Sequence, residues 1–155
     1  MASLYETDFY AWTQDQSGKL RQLLIERSNL DIDLENIAEE VDSMGRSNRA
    51  QLVNRLAQLD EHLMKLAFSL SWEPRRQWKK SVAGQRHSIA RLLAESPSLR
   101  RQLPDALGEA HKFALHTFDD EKLIELTMNE LPGLCPFELE DMLDPDWWPD
   151  PRGVQ

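Results

Sequence analysis

Six leucines, Leu52, Leu56, Leu59, Leu63, Leu66 and Leu70, step through the middle of the chain at intervals of four, three, four, three and four. Such spacing averages about 3.5 residues and puts all six on one side of an α-helix, the seam by which helices interlock. A strand cannot use it, because side chains on a strand change face at every residue. A helix with so long an apolar seam has to be covered by other helices. The expected fold is therefore all-α, an up-and-down bundle.

The flanking sequence supplies the other helices. Thr7 is an expected N-cap with Asp8 in the first turn, where the helix dipole favours a negative charge. This helix runs to about Arg27, with Phe9, Trp12, Gln16, Leu20, Leu23, Leu24 and Arg27 facing inward and Gly18 weakening its middle. The second helix starts near Asp33, with Leu34, Ile37, Ala38, Val41 and Met44 on a narrow apolar face. Its phase matches the leucine seam, so 33–71 reads equally as one kinked helix or two, with a break or kink preferred at Gly45. Pro74 bars helical geometry at Glu73 and opens the next helix, about 75–95, lined by Trp78, Val82, Gln85, Ile89, Leu92 and Leu93. After a connector with room for one helical turn, a fourth main helix covers 104–118, with Leu107, Ala110, His111, Ala114 and Phe118 on one face, and Asp119 caps a short helix over 120–128.

Five of the eight prolines fall at 132, 136, 145, 149 and 151, which turns the end of the chain into an irregular Pro/Trp-rich strap. A short helix from Pro136 to Leu143 and a clasp formed by Trp147 and Trp148 are expected in it. The whole reads as one helical domain over 1–149 with a frayed tail at 150–155.

With 155 residues and one cysteine, Cys135, the chain has neither an intrachain disulfide nor a C-x-x-C or Cys/His zinc motif. The N-terminus lacks the layout of an export signal, and the longest apolar stretch, "LAFSLSW" at 66–72, is far too short to cross a bilayer. A cytoplasmic protein without a membrane role is the expectation.

The net charge of −9 is unevenly spread. Residues 74–102 hold eight basic groups and one acid, a local charge of +7, against 10 basic and 26 acidic groups elsewhere. Such segregation serves either as an internal complement or as a docking surface.

Several stretches together resemble the bacterial "domain of unknown function 29" family. They are "YETDFYAWTQ" at 5–14, "DLENIAEEVDSMGRS" at 33–47, "HLMKL" at 62–66, Trp78 with "QRHSIARLLAESPSLR" at 85–100, and "CPFELEDMLDPDWWP" at 135–149. The resemblance implies an all-helical fold and a bacterial source. It implies no activity, so no catalytic residue is carried over, and the region of His111 and His116 echoes no motif of the family.

Candidate chemistry has to come from the residues. Glu35 and Glu39 stand one helical turn apart, a spacing at which two carboxylates reach one divalent cation, but no Glu-x-x-His pair accompanies them. A solvent-facing flank outweighs the metal reading, and the preferred reading sets this acid flank against the basic arc of the third helix, through register-setting pairs such as Glu39 with Arg86 or Asp42 with Lys79. His62 lies at the edge of the leucine seam, and its sequence neighbours Asp60 and Glu61 point away from it on a helix. His111 falls within an apolar face, where a hydrogen-bonded core histidine is the commoner case. Cys135 has no local histidine and reads as a strap-anchoring thiol. Nucleophile elbows and phosphate-cradling glycine loops are absent from the sequence.

The leading expectation is a non-catalytic interaction or regulatory module, with a protein partner or a second copy docked on Arg75, Arg76, Trp78, Lys79, Lys80, Arg86, Trp147 and Trp148 and no cofactor. The alternative is a metal-assisted, hydrolase-like enzyme with Glu35, Glu39 and His62 or His111 around a divalent ion. Nucleic-acid binding through 75–91 stands third, since the overall acidity repels a polyanion beyond a Debye length of about 8 Å.

Overall fold

The computed structural model describes residues 1–27, 29–69, 74–121 and 132–151, with 118–121 by backbone alone. Its elements are α1 (Leu4–Thr7), α2 (Phe9–Glu26), α3 (Leu34–Phe68), α4 (Arg75–Glu95), a 3-10 helix (Pro97–Gln102), α5 (Leu103–Glu121) and α6 (Leu139–Leu143). Among the described residues there is no strand. The fold is the all-α bundle of four main helices that the leucine spacing demands. Two compact units divide it: Met1–Gln51 with Arg91–Gln102, and Leu52–Ala90 with the chain from Leu103 onward.

In the first unit, Asp8 rather than Thr7 caps the long N-terminal helix. The Asp8 carboxylate accepts from Ala11 N at 2.9 Å, and it also takes Ser98 N and Ser98 Oγ at 2.7 Å each. One side chain thus caps both α2 and the 3-10 helix, a task for which the hydroxyl of Thr7 carries too few acceptors and no charge. Thr7 instead ends α1, its hydroxyl donating to Ser3 O at 3.1 Å. Tyr5, Phe9 and Trp12 form an aromatic cluster with centroids 4.9–5.9 Å apart.

The buried positions of α2 are Thr13 and Ser17, while the larger residues expected inside are half-buried and Arg27 is exposed. The reason is Gly45. A Cβ built there would stand 2.4 Å from Thr13 Oγ1, so the helices cross too closely for a large side chain on either one. Gly45 therefore serves contact and not a break, and α3 runs through it without interruption. The same crossing rotates α3 so that Leu34, Ala38 and Gly45 are buried, leaving Ile37 and Met44 in solvent.

In the second unit the seam behaves as its period requires. Leu52, Leu56, Leu59, Leu63 and Leu66 are buried, and burying each stabilises the fold by roughly 1.5–3 kcal/mol. Leu70 lies outside the described residues. α4 presents Trp78, Val82, Gln85 and Ile89 inward, and Leu103, Ala106, Ala110 and Ala114 of α5 are likewise buried. Gln85 is satisfied by Gln58 at 2.6 Å. Asp119 falls inside α5 and does not start a new helix; positions 122–128 of that expected helix, and positions 152–155 of the expected frayed tail, lie outside the described residues.

Candidate functional site

The stripe Val53, Leu56, Asp60, Leu63, Ala67 on α3 keeps one helical face, and four of its five members are apolar. Asp60 shares their burial, at 0 % exposure. On α5, His111 interrupts a buried run of Ala106, Ala110 and Ala114 in the same manner and is 2 % exposed. The two misfits meet. His111 Nδ1 lies 2.5 Å from Asp60 Oδ2, and His111 Nε2 lies 2.9 Å from the carbonyl oxygen of Pro132 at the start of the strap.

The Pro132 carbonyl can only accept, so Nε2 carries a hydrogen, and Nδ1 and the Asp60 carboxylate share the second proton of the pair. Burial pushes the His111 pKa down, but the Asp60 hydrogen bond, the Pro132 carbonyl and the Asp60 charge together raise it above its ordinary value. The other carboxylate oxygen is also engaged. Cys135 Sγ donates to Asp60 Oδ1 at 3.4 Å and lies 3.7 Å from Met142 Sδ. Burial, with the Asp60 charge behind it, pushes the Cys135 thiol up to about 12. A nucleophilic cysteine needs the opposite shift. Asp60, His111 and Cys135 are thus a closed set with its protons held in place, and their ligand atoms all lie within 4.8 Å of one another.

A second polar centre of the same unit sits on Arg86. Its guanidinium donates to the carbonyls of Met142 at 2.7 Å and Trp147 at 2.8 Å, with Pro145 and Asp141 at 3.4 Å. Burial lowers its pKa and the Asp144 charge partly restores it. Trp148 packs beside it, 5.0 Å from Arg86 Cζ and 5.2 Å from Lys79 Nζ, and Trp147 meets Phe137 edge-on at 5.7 Å. This is the expected clasp, with an arginine as its bolt.

The basic arc of α4 is consequently smaller on the surface than its sequence implies. Arg75, Trp78 and Arg86 are buried, with Arg75 donating to the Leu66 carbonyl, whereas Arg76, Lys79 and Lys80 remain exposed. A guanidinium consumed by its own chain's carbonyls is no handle for a partner. Trp147 and Trp148 are half-buried in the clasp.

The carboxylates at the start of α3 are engaged differently from the expected pairs. Arg21 of α2 binds Asp42 at 2.6 Å and Glu39 at 3.5 Å, and Arg46 binds Glu39 at 2.5 Å. Asp33 accepts from Asn36 N at 3.2 Å and so starts α3, while Glu35 and Glu40 are exposed. Neither Glu39–Arg86 nor Asp42–Lys79 is the pairing seen, because Arg86 faces the strap and Arg21 lies one helix crossing away from the acids. His62 is half-buried, with Nδ1 2.7 Å from the Gln58 carbonyl on its own helix. Among the described residues, the group of three or more metal-ligating side chains is Asp60, His111 and Cys135, of which only His111 carried a site expectation.

The family model of the "Domain of unknown function DUF29" matches residues 4–148. No curated protein matches the chain. Among solved structures, an alpha-helical protein of unknown function from Rhodospirillum rubrum is similar at a TM-score of 0.73 and 23% identity, over 95% of this chain and 93% of that one. That likeness carries the fold alone. Among the described residues no helix is long and apolar enough to cross a membrane.

Proposed function

The chain belongs to the family of the domain of unknown function DUF29, and from that premise we propose a protein-interaction module that docks through one shoulder of α3. The observation that carries this reading is the pair Ile37 and Met44. They lie two helical turns apart on one face, 43 % and 44 % exposed, next to a face buried at Leu34, Ala38 and Gly45. Leu30 and Ile32, also exposed, lead into the same end of the helix. An apolar ridge left in water on a helix so well packed elsewhere is the pattern of an interaction site.

The occupant this ridge fits is an amphipathic helix of another protein with a cation beside its own apolar stripe. Glu40 lies three residues after Ile37 and four before Met44, exposed within the ridge. Two copies packed through it about a twofold axis would bring their Glu40 side chains together, which disfavours self-association.

The test is capture from cells of the source organism. The full chain is expected to retain a partner that Ile37→Lys with Met44→Lys loses and that Glu40→Lys weakens, with helical content unchanged by circular dichroism. Identical capture by all three proteins would overturn the proposal.

A further inference from the structure

We infer that Asp60, His111 and Cys135 form a zinc site, in which one divalent ion replaces the protons that otherwise link the three side chains. The donor set is one carboxylate oxygen, one imidazole nitrogen and one sulfur. That mixture suits a borderline ion such as zinc and is wrong for calcium or magnesium, which take oxygen.

The spacing fits with small movements. Tetrahedral zinc, with bonds of about 2.0–2.3 Å, sets its donors roughly 3.3–3.8 Å apart. Cys135 Sγ and Asp60 Oδ1 already stand at 3.4 Å, and the three donor atoms lie within 4.8 Å of one another, so a shift of about 1 Å by His111 Nδ1, away from Asp60 Oδ2, completes the set. Three protein ligands leave a fourth position for water.

The surroundings resemble the outer shell of a metal site. With Nδ1 on the ion, His111 still donates Nε2–H to the Pro132 carbonyl at 2.9 Å, the contact by which ligating histidines are oriented and their tautomer chosen. Asp60 and His111 are held on long helices whose neighbours are packed, so two of the three ligands are rigidly placed.

Charge balance makes the exchange feasible in a buried place. Without the ion, the Asp60–His111 pair with its shared proton and a neutral thiol sum to zero. With it, zinc(II), aspartate, thiolate and neutral imidazole also sum to zero, and two protons leave, one from the Asp60–His111 pair and one from Cys135 Sγ. Neither state buries a net charge, the condition that low-dielectric surroundings impose. The ligands lie 51 and 75 positions apart from Asp60, so the ion would join α3, α5 and the strap.

The full chain, purified without a histidine tag and stripped with a chelator, is titrated with zinc and separately with cobalt(II). One ion per chain is expected, with about two protons released into weak buffer and a near-ultraviolet thiolate-to-cobalt band. Cys135→Ser removes the band and weakens zinc binding by at least roughly 100-fold, beyond the effect of losing an outer-shell partner. Should that variant not fold, the wild type decides: zinc must slow alkylation of Cys135 relative to chelator. Absence of stoichiometric binding, cobalt binding without the sulfur band, or unchanged alkylation would overturn the assignment.

Discussion

Asp60 and His111 stand 51 positions apart in the chain and 2.5 Å apart in space, one on α3 and one on α5, with side chains 0 % and 3 % exposed. Their energetic weight follows from burial. Asp60→Ala leaves His111 buried without its carboxylate partner and is expected to cost about 3–5 kcal/mol in urea unfolding of the metal-free protein. Replacing both at once, Asp60→Leu with His111→Leu, should cost less than Asp60→Ala alone, because an apolar pair needs no compensation. Single and double variants of equal stability would show that the contact is not an ion pair in the folded protein.

Two glycines should answer alanine with opposite signs. At Gly45 a methyl group meets Thr13 Oγ1 at 2.4 Å, so Gly45→Ala forces the helices apart and destabilises by about 1–3 kcal/mol. At Gly18, in the middle of α2, nothing lies within 4 Å, and Gly18→Ala should stabilise by about 0.5–1 kcal/mol. Thermal melts of the two variants distinguish contact from mere helix propensity.

Arg86 holds the strap, and lysine cannot stand in for it. A guanidinium spreads its donors over the carbonyls of Met142 and Trp147 at 2.7 and 2.8 Å, and an ammonium on a flexible stem reaches fewer of them. Arg86→Lys should cost roughly 2–3 kcal/mol and expose the strap tryptophans, read as a red shift in fluorescence and faster cleavage after 132. An unshifted spectrum would remove Arg86 from that role.

Asp42 should give the first unit a limb of acid sensitivity. Hydrogen bonds from Ser17 and Arg21 hold its carboxyl below the ordinary 3.8. Because the folded value is the lower one, this stabilisation is complete above the ordinary aspartate range and fades as pH falls through the depressed value. Arg21 is half-exposed, so the effect is about 0.5–1 kcal/mol. Asp42→Asn should flatten that limb of the stability–pH curve and leave the neutral-pH slope unchanged.

More of the site is legible in the sequence than spacing motifs alone reveal. Asp60 keeps the phase of Val53, Leu56 and Leu63, and His111 keeps that of Ala110 and Ala114, so each is a polar residue in an apolar stripe. Two such misfits on different helices imply a pair, since a buried charge without a partner is too costly to keep. Arg75 and Arg86, eleven residues or three turns apart, share the phase of Leu93, which marks them as interior cations and not as a docking arc. Gly45 carried no such mark, because a glycine that permits close approach and one that interrupts a helix look alike until the neighbour is known.

Periodicity along the chain placed the four main helices, the leucine seam and the all-α class, because it acts within a few turns of one segment, whereas the Asp8 cap and the passage of α3 through Gly45 depended on distant neighbours. Which charges meet depended on packing: Arg21 with Asp42, Arg86 with the strap, Asp60 with His111 and Cys135. Those pairings span tens of residues, and a cation or an acid in a helical pattern gives no sign of its distant partner until packing brings the two faces together.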